Sequence, residues 1–283
     1  MDAIALTKAL RKGKWHGSYG TACCPAHRDR TPSLSIGIGR DGRTLVCCHT
    51  GCSQETVIAA LKLMGLWDGE VASNVIPFTP RSSSENSAHA VALFADSAPA
   101  AGTIVETYLR SRGIKIPVPD ALRFHPNLAY PGGGSWPAMV ALVNNAHGMP
   151  AACHRTYLRP DGSGKAPVPT AKMSLGPCAG NSVHLSEPAQ RMGVGEGIET
   201  ALSILDFDGI PMLAALSTGG LKNLILPKVV KKITIFADAD APGEDAAVTA
   251  GRAWKVLGLD VKISRPPAGS DFNDWLIAQG RAS

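Results

Sequence analysis

The sequence predicts a multidomain α/β protein in three parts: an N-terminal β-ribbon, a mixed α+β middle subdomain and a C-terminal parallel α/β unit. Three observations predict it. Five of the seven cysteines crowd into residues 23–52, in two clusters separated by a stretch of period-two alternation. A polar, Ser- and Pro-bearing run beginning near residue 68 has no apolar periodicity. From about residue 189 to 283, short apolar strands alternate with helical segments, the order of a parallel sheet. The expected division is residues 1–68, a flexible linker over 69–88, a middle subdomain over 89–188 and a last unit over 189–283.

Composition bounds the function classes. With 283 residues and 45% hydrophobic content, there is material for sizeable cores. No apolar run approaches ~18 residues and the start lacks a basic-then-apolar leader, so a cytoplasmic protein without a membrane partner is expected. A net charge of +5 is mildly basic and compatible with a polyanionic partner. An odd, clustered cysteine count suits a metal site in a reducing compartment better than a disulfide framework.

The N-terminal part opens with a short basic amphipathic helix over residues 2–12. Cys23-Cys24-Pro25-Ala26-His27 and Cys47-Cys48-His49-Thr50-Gly51-Cys52 then flank a hairpin, in which Ser33 to Gly39 alternates, Asp41-Gly42 turns and Arg43 to Cys47 returns. Two ligand pairs brought together by a hairpin are the geometry of a tetrahedral structural zinc ribbon, assigned to Cys24, His27, Cys48 and Cys52. The doublets leave Cys23, Cys47 or His49 as substitutes. So small a unit has little core, and roughly 10–16 kcal/mol of zinc binding supplies what packing does not. Arg28, Arg30, Arg40 and Arg43 lie on or beside the hairpin, where solvated surface cations are the simpler reading and phosphate contacts the functional one. Gln54 to Leu66 reads as a closing helix.

In the middle part, helices are expected over Ala90–Asp96 and Thr103–Arg112, and strands at 122–125, 138–143 and 151–158, the last leading into a hairpin turn at Arg159 to Lys165. Cys153, His154 and Cys178 match no metal-ligand spacing and read as packing. Arg155, Lys165 and Lys172 cluster around this hairpin as candidate phosphate or nucleotide contacts.

In the last part, the stretch from Gln190 starts with a short strand and Glu196 sits at its end between two glycines, which keep bulk away from its carboxylate. Glu199, in the first turn of the next helix, is explained by the helix dipole. A second strand covers 210–216, followed by the small-residue loop Ser217-Thr-Gly-Gly220 and a helix. Ile233 to Ala237 is a buried strand, and Asp238 and Asp240 beyond it share one side of an extended chain, about 6–7 Å apart. Carboxylates that close repel unless a cation sits between them, and an open parallel sheet places its chemistry at the carboxyl ends of its strands.

A glutamate after strand one in Gly-Glu196-Gly-Ile-Glu, a Gly loop after strand two and Asp238-x-Asp240-x-x-Gly243 after strand three resemble the Toprim domain, a Rossmann-like parallel α/β fold shared by bacterial (DnaG-type) primases, topoisomerases and some nucleases. The Cys24-Pro-x-His27…Cys48-x-x-x-Cys52 ribbon, continuing through Arg30-Thr-Pro-Ser-Leu-Ser-Ile, resembles the primase zinc-binding domain, and the domain order is similar to compact primases of phages, plasmids and mobile elements.

The resemblance implies a DNA primase that makes short RNA primers on single-stranded DNA from ribonucleoside triphosphates by two-metal nucleotidyl transfer. Glu196, Asp238 and Asp240 would hold Mg²⁺ or Mn²⁺, with Asp271 and Asp274 a further acidic pair at a spacing one residue longer than in the family. Arg155, Lys165 and Lys172 would steady phosphates, the zinc ribbon would engage the template, and any replicative helicase would be a separate partner. No tyrosine lies in the last unit to serve a topoisomerase, and no phosphate-binding Gly-x-x-x-x-Gly-Lys-Ser/Thr loop accompanies it. A Toprim-type nuclease or phosphotransferase, and a catalytically silent nucleic-acid-binding regulator, are the alternatives.

Overall fold

The computed structural model describes residues 2–17, 19–39, 42–48, 50, 52–67, 83–266, 272, 273 and 275. Asp271, Asp274, His49, Arg40, Asp41 and most of the expected linker lie outside the described residues. The chain divides into two compact units, one holding the residues up to Trp67 with the turn Tyr130–Gly134, the other the remainder from Ser83.

In the first unit, α1 (Ala3–Ala9) is capped by Asp2, whose carboxylate accepts the Ala5 N–H at 2.7 Å. Strands β1 (Lys14–Trp15), β2 (Tyr19–Ala22), β3 (Leu34–Ile38) and β4 (Thr44–Cys48) form an antiparallel sheet in sequence order, and α2 (Gln54–Leu63) follows behind a Ser53 cap. Leu34, Ile36 and Val46 point inward on the alternation the sequence shows, and they meet Leu6 of α1 and Val57 and Leu61 of α2 in one small core. Gly20 is required for that closure, since a Cβ there would stand 2.1 Å from the Thr7 hydroxyl.

The second unit opens with α3 (Ser83–Asp96), which starts seven residues before the expected Ala90. Its polar first turns carry no apolar stripe, so periodicity hides them, while Ala90 and Phe94 further along are buried. Then come β5 (Ala98–Pro99), α4 (Ile104–Ser111), β6 (Leu122–Ala129), β7 (Ser135–Asn144), β8 (Pro150–Tyr157), β9 (Lys172–Leu175) and β10 (Ser182–His184). The last part supplies β11 (Arg191–Gly195), α5 (Ile198–Asp208), β12 (Met212–Ala214), α6 (Thr218–Asn223), β13 (Lys232–Phe236), α7 (Ala241–Val256) and β14 (Asp260–Ser264).

Strands β14, β13, β11 and β12 are parallel neighbours in that order. Strand β10 then pairs antiparallel with both β12 and β7, so the middle and last parts share one sheet. Helix α5 covers one face through Ile198, Ala201 and Leu202, and α7 the other through Ala246, Ala247 and Ala250. Gly193 lets the first face close: a Cβ there would lie 2.3 Å from Met212 Sδ and 2.8 Å from the Phe236 ring. No helix of the described residues is long and apolar enough to cross a membrane.

Candidate functional site

Period-two alternation in β4 decides which member of the Cys47-Cys48 doublet faces inward. Cys48 pairs with Leu34 and is buried on the core side, whereas its neighbour Cys47 pairs with Ser35. The ligand atoms of Cys24, His27, Cys48 and Cys52 all lie within 4.8 Å of one another. His27 Nδ1 stands 3.2 Å from Cys52 Sγ and 3.9 Å from Cys48 Sγ. Burial, joined by the neighbouring Cys48 sulfur, pushes the Cys24 thiol up to about 12. At Cys48 burial acts in the same sense, but hydrogen bonds from the Thr50 hydroxyl and the Cys52 and Thr50 backbone prevail and bring that thiol down to about 6. Three sulfurs whose thiolate charges repel one another, with an imidazole beside them, suit a tetrahedral dication, and the group can hold one zinc ion.

Asp29, which the sequence reading did not single out, orders the ribbon's first pair. Its carboxylate accepts the Cys24 N–H at 2.9 Å and the Ser33 hydroxyl at 2.6 Å, and lies 3.8 Å from His27 Nε2. The local signal is the acidic residue two positions after His27, of the kind that orients a ligating imidazole.

The acidic rim is built by sheet register. Gly195 of β11 pairs with Phe236 of the neighbouring β13, so Glu196 and Asp238 emerge one and two residues later at the same edge of the sheet. Asp240 caps α7, accepting the Gly243 N–H at 2.7 Å. Gly243 has no room for a side chain, because a Cβ would sit 2.9 Å from both the Asp238 carbonyl and the Asp240 carboxylate. Burial first, then Asp238 and Asp240, raise the Glu196 carboxyl, while the Thr218 N–H and the Lys172 ammonium pull it down. Glu196 therefore feels both aspartates, and a hard divalent cation bound among oxygen ligands would relieve that repulsion. Leu216, two residues past β12, holds φ 70° and donates its N–H to the Glu196 carbonyl at 2.7 Å, a strained backbone fixed beside the rim.

Next to the rim stands a buried ion cluster that the sequence did not reveal. Glu199 is 5% exposed, in the first turn of α5. Its Oε1 accepts the Tyr108 hydroxyl at 2.6 Å and lies 3.4 Å from Lys165 Nζ, while Oε2 lies 3.2 Å from Lys172 Nζ. Burial alone would raise its carboxyl, but Lys172, Lys165 and Tyr108 together hold it at about 2. Lys165 and Lys172, expected as phosphate contacts, thus share one carboxylate, with each side chain 40% exposed. Arg155 is drawn into the sheet, donating from Nη2 to the Ser174 carbonyl at 3.2 Å. His154 on β8 is buried against Ser174 Oγ at 3.1 Å, and burial together with Lys172 lowers it to about 4. Cys153 on β8 is fully buried, in keeping with packing.

Asp271 and Asp274 lie outside the described residues. Between them, Phe272 packs edge-on against Phe236 with ring centroids 5.4 Å apart, and Asn273 Nδ2 donates to Ser203 Oγ at 2.6 Å.

Residues 84–185 match the family model of a domain of unknown function, DUF7146, and residues 191–282 match that of the Toprim domain. No curated protein matches the chain. Among solved structures, the chain is similar to the zinc-binding and RNA polymerase domains of the Aquifex aeolicus primase, at 16% identity and a TM-score of 0.49, over 100% of this chain and 82% of that one. A DNA primase domain from Pseudomonas aeruginosa gives 15% identity and a TM-score of 0.46, over 70% and 77% of the two chains. The primase fragment of the bacteriophage T7 primase-helicase gives 15% and 0.39, over 63% and 68%. Residues 191–282, with Glu196 and Asp238 just past the ends of two neighbouring parallel strands, form a Toprim domain.

Proposed function

We propose that this protein is a DNA primase, a nucleotidyltransferase that makes short RNA primers on single-stranded DNA. The observation that carries the reading is the Glu196, Asp238 and Asp240 rim of a Toprim domain, with a lysine pair beside it and a Cys₃His ribbon earlier in the same chain. Glu196, Asp238 and Asp240 would hold Mg²⁺ or Mn²⁺, and Asp271 and Asp274 would add to the acidic set. Two such ions supply a lowered pKa at an attacking 3′-hydroxyl and neutralise the charge of a triphosphate leaving group.

The remaining work falls to the protein's own side chains. Lys165 and Lys172 carry ammonium protons that Glu199 does not use, and these orient nucleotide phosphates toward the rim. The Thr218 N–H fixes the Glu196 carboxylate, and Leu216 fixes its backbone. The zinc ribbon engages template, with Arg28, Arg30 and Arg43 available for its phosphates.

The test supplies the protein with ribonucleoside triphosphates, Mg²⁺ and single-stranded DNA and scores short RNA products. Products that disappear in Asp238→Ala support the reading. Template degraded without synthesis would make the protein a nuclease instead, and binding with neither reaction would make it a regulator.

A further inference from the structure

We propose that Glu199 is a positioning residue, which holds the Lys165 and Lys172 ammonium groups side by side so that together they grip the polyphosphate of an incoming nucleoside triphosphate. The proposal deepens the function given above and rests on the lysines facing a nucleotide, but it concerns a residue that neither touches substrate nor belongs to the acidic rim.

The cluster's construction does not suit a purely structural ion pair. A stability device needs one cation for one buried carboxylate, and here two ammonium groups converge on one, leaving a surplus positive charge. The carboxylate is almost wholly buried while both lysines keep about two-fifths of their side chains exposed, so the anchor is inside and the donors reach the surface. The lysines come from separate places, Lys165 from the turn that follows β8 and Lys172 from the start of β9. Left alone, like charges on flexible stems would separate. Tyr108 on α4 takes up Oε1 at 2.6 Å and fixes the carboxylate's plane.

Position completes the case. Glu199 follows Glu196 by three residues, and the Lys172 ammonium acts electrostatically on both. The lysine pair therefore lies where a triphosphate bound at the rim would carry its negative charge. Lys165 is pulled down by burial and by Lys172, and Glu199 opposes both. The other ionisable groups acting on the cluster include Tyr108 on α4, with Arg112 beside it, His154 on β8 and, through Lys172, Glu196. Removing the carboxylate therefore makes Lys165 give up its proton at lower pH.

The experiment measures ATP binding to the full chain in Mg²⁺, by calorimetry across pH 7 to 10, for the wild type, Glu199→Gln, Tyr108→Phe and each single lysine-to-methionine variant. Glutamine keeps the shape and an acceptor for Tyr108, and the exposed lysines can turn to solvent, so the fold should persist. The expected result is binding weakened about tenfold in Glu199→Gln and in each lysine variant, and less in Tyr108→Phe. The alkaline loss of binding should also move to lower pH in Glu199→Gln, which a merely structural role would not produce. Wild-type binding and pH profile in a folded Glu199→Gln would overturn the proposal. Should that variant not fold, unchanged binding in both lysine variants would overturn it equally. Because ATP binding is read separately from RNA synthesis, primer products with unperturbed Glu199→Gln binding defeat this inference alone. Weakened binding in a protein that makes no primers defeats only the primase reading.

Discussion

Glu199 and its partners set up an asymmetry that mutation can expose. Replacing Glu199 by glutamine leaves two lysines that can reach water, so the expected cost is modest, about 1–2 kcal/mol. Replacing both lysines by methionine strands a buried carboxylate without a counter-charge, and should cost about 3–5 kcal/mol. Urea denaturation of the two variants checks the order, and equal costs would mean that the carboxylate is not anchored as described. A second residue-level prediction concerns acid. His154 is lowered from 6.5 to about 4 by burial, so between those values the unfolded chain binds a proton that the folded chain resists. Stability should fall as pH drops through that window, by up to about 1.4 kcal/mol per unit. Glu199, lowered from 4.5 to about 2, extends the loss further into acid. Denaturation midpoints from pH 7 to 4 should show the first slope, and His154→Gln should flatten it.

At the scale of elements, Asp240 has two separable duties. Its carboxylate caps α7 through the Gly243 N–H, and its charge belongs to the acidic rim. Asparagine caps a helix as well as aspartate does, but offers no negative charge. Asp240→Asn should therefore keep wild-type stability and lose primer synthesis, while Asp240→Ala should lose synthesis and about 1 kcal/mol of stability. Thermal melts beside activity assays distinguish the two, and full activity in the asparagine variant would remove Asp240 from the metal set. Gly243 lies in the first turn of the same helix, so Gly243→Ala, clashing with the Asp238 carbonyl, should perturb the rim without touching a carboxylate.

At the scale of the molecule, the two units draw stability from different sources. Residues up to Trp67 have a small core and a Cys₃His group, so a zinc chelator should unfold them. Among the described residues the second unit has a ten-stranded sheet in which β10 ties β7 to β12, so its middle and Toprim parts should melt together in a transition that chelation leaves unmoved. Differential scanning calorimetry with and without chelator reads both expectations. Separate melting of residues 84–185 and 191–282 would contradict the shared sheet.

The strands and helices of the Toprim part, the hairpin of the ribbon and the Cys24, His27, Cys48 and Cys52 quartet were legible in sequence, because each depends on periodicity and short spacing. So was the position of Glu196 and Asp238 past the ends of two strands, which the register of β11 and β13 makes neighbours by the rules of an open sheet. The first turns of α3 were not, because polar residues leave no stripe to read. Nor was the role of Glu199. A glutamate in a first helical turn is explained locally by the dipole, and its partners Tyr108 and Lys172 lie 91 and 27 residues away. The sequence by itself determined which residue types could bind metal and the order of the elements that carry them. Only the tertiary structure decided that two distant lysines share one buried carboxylate, because burial and charge pairing across α4, α5 and β9 exist only once those elements are packed.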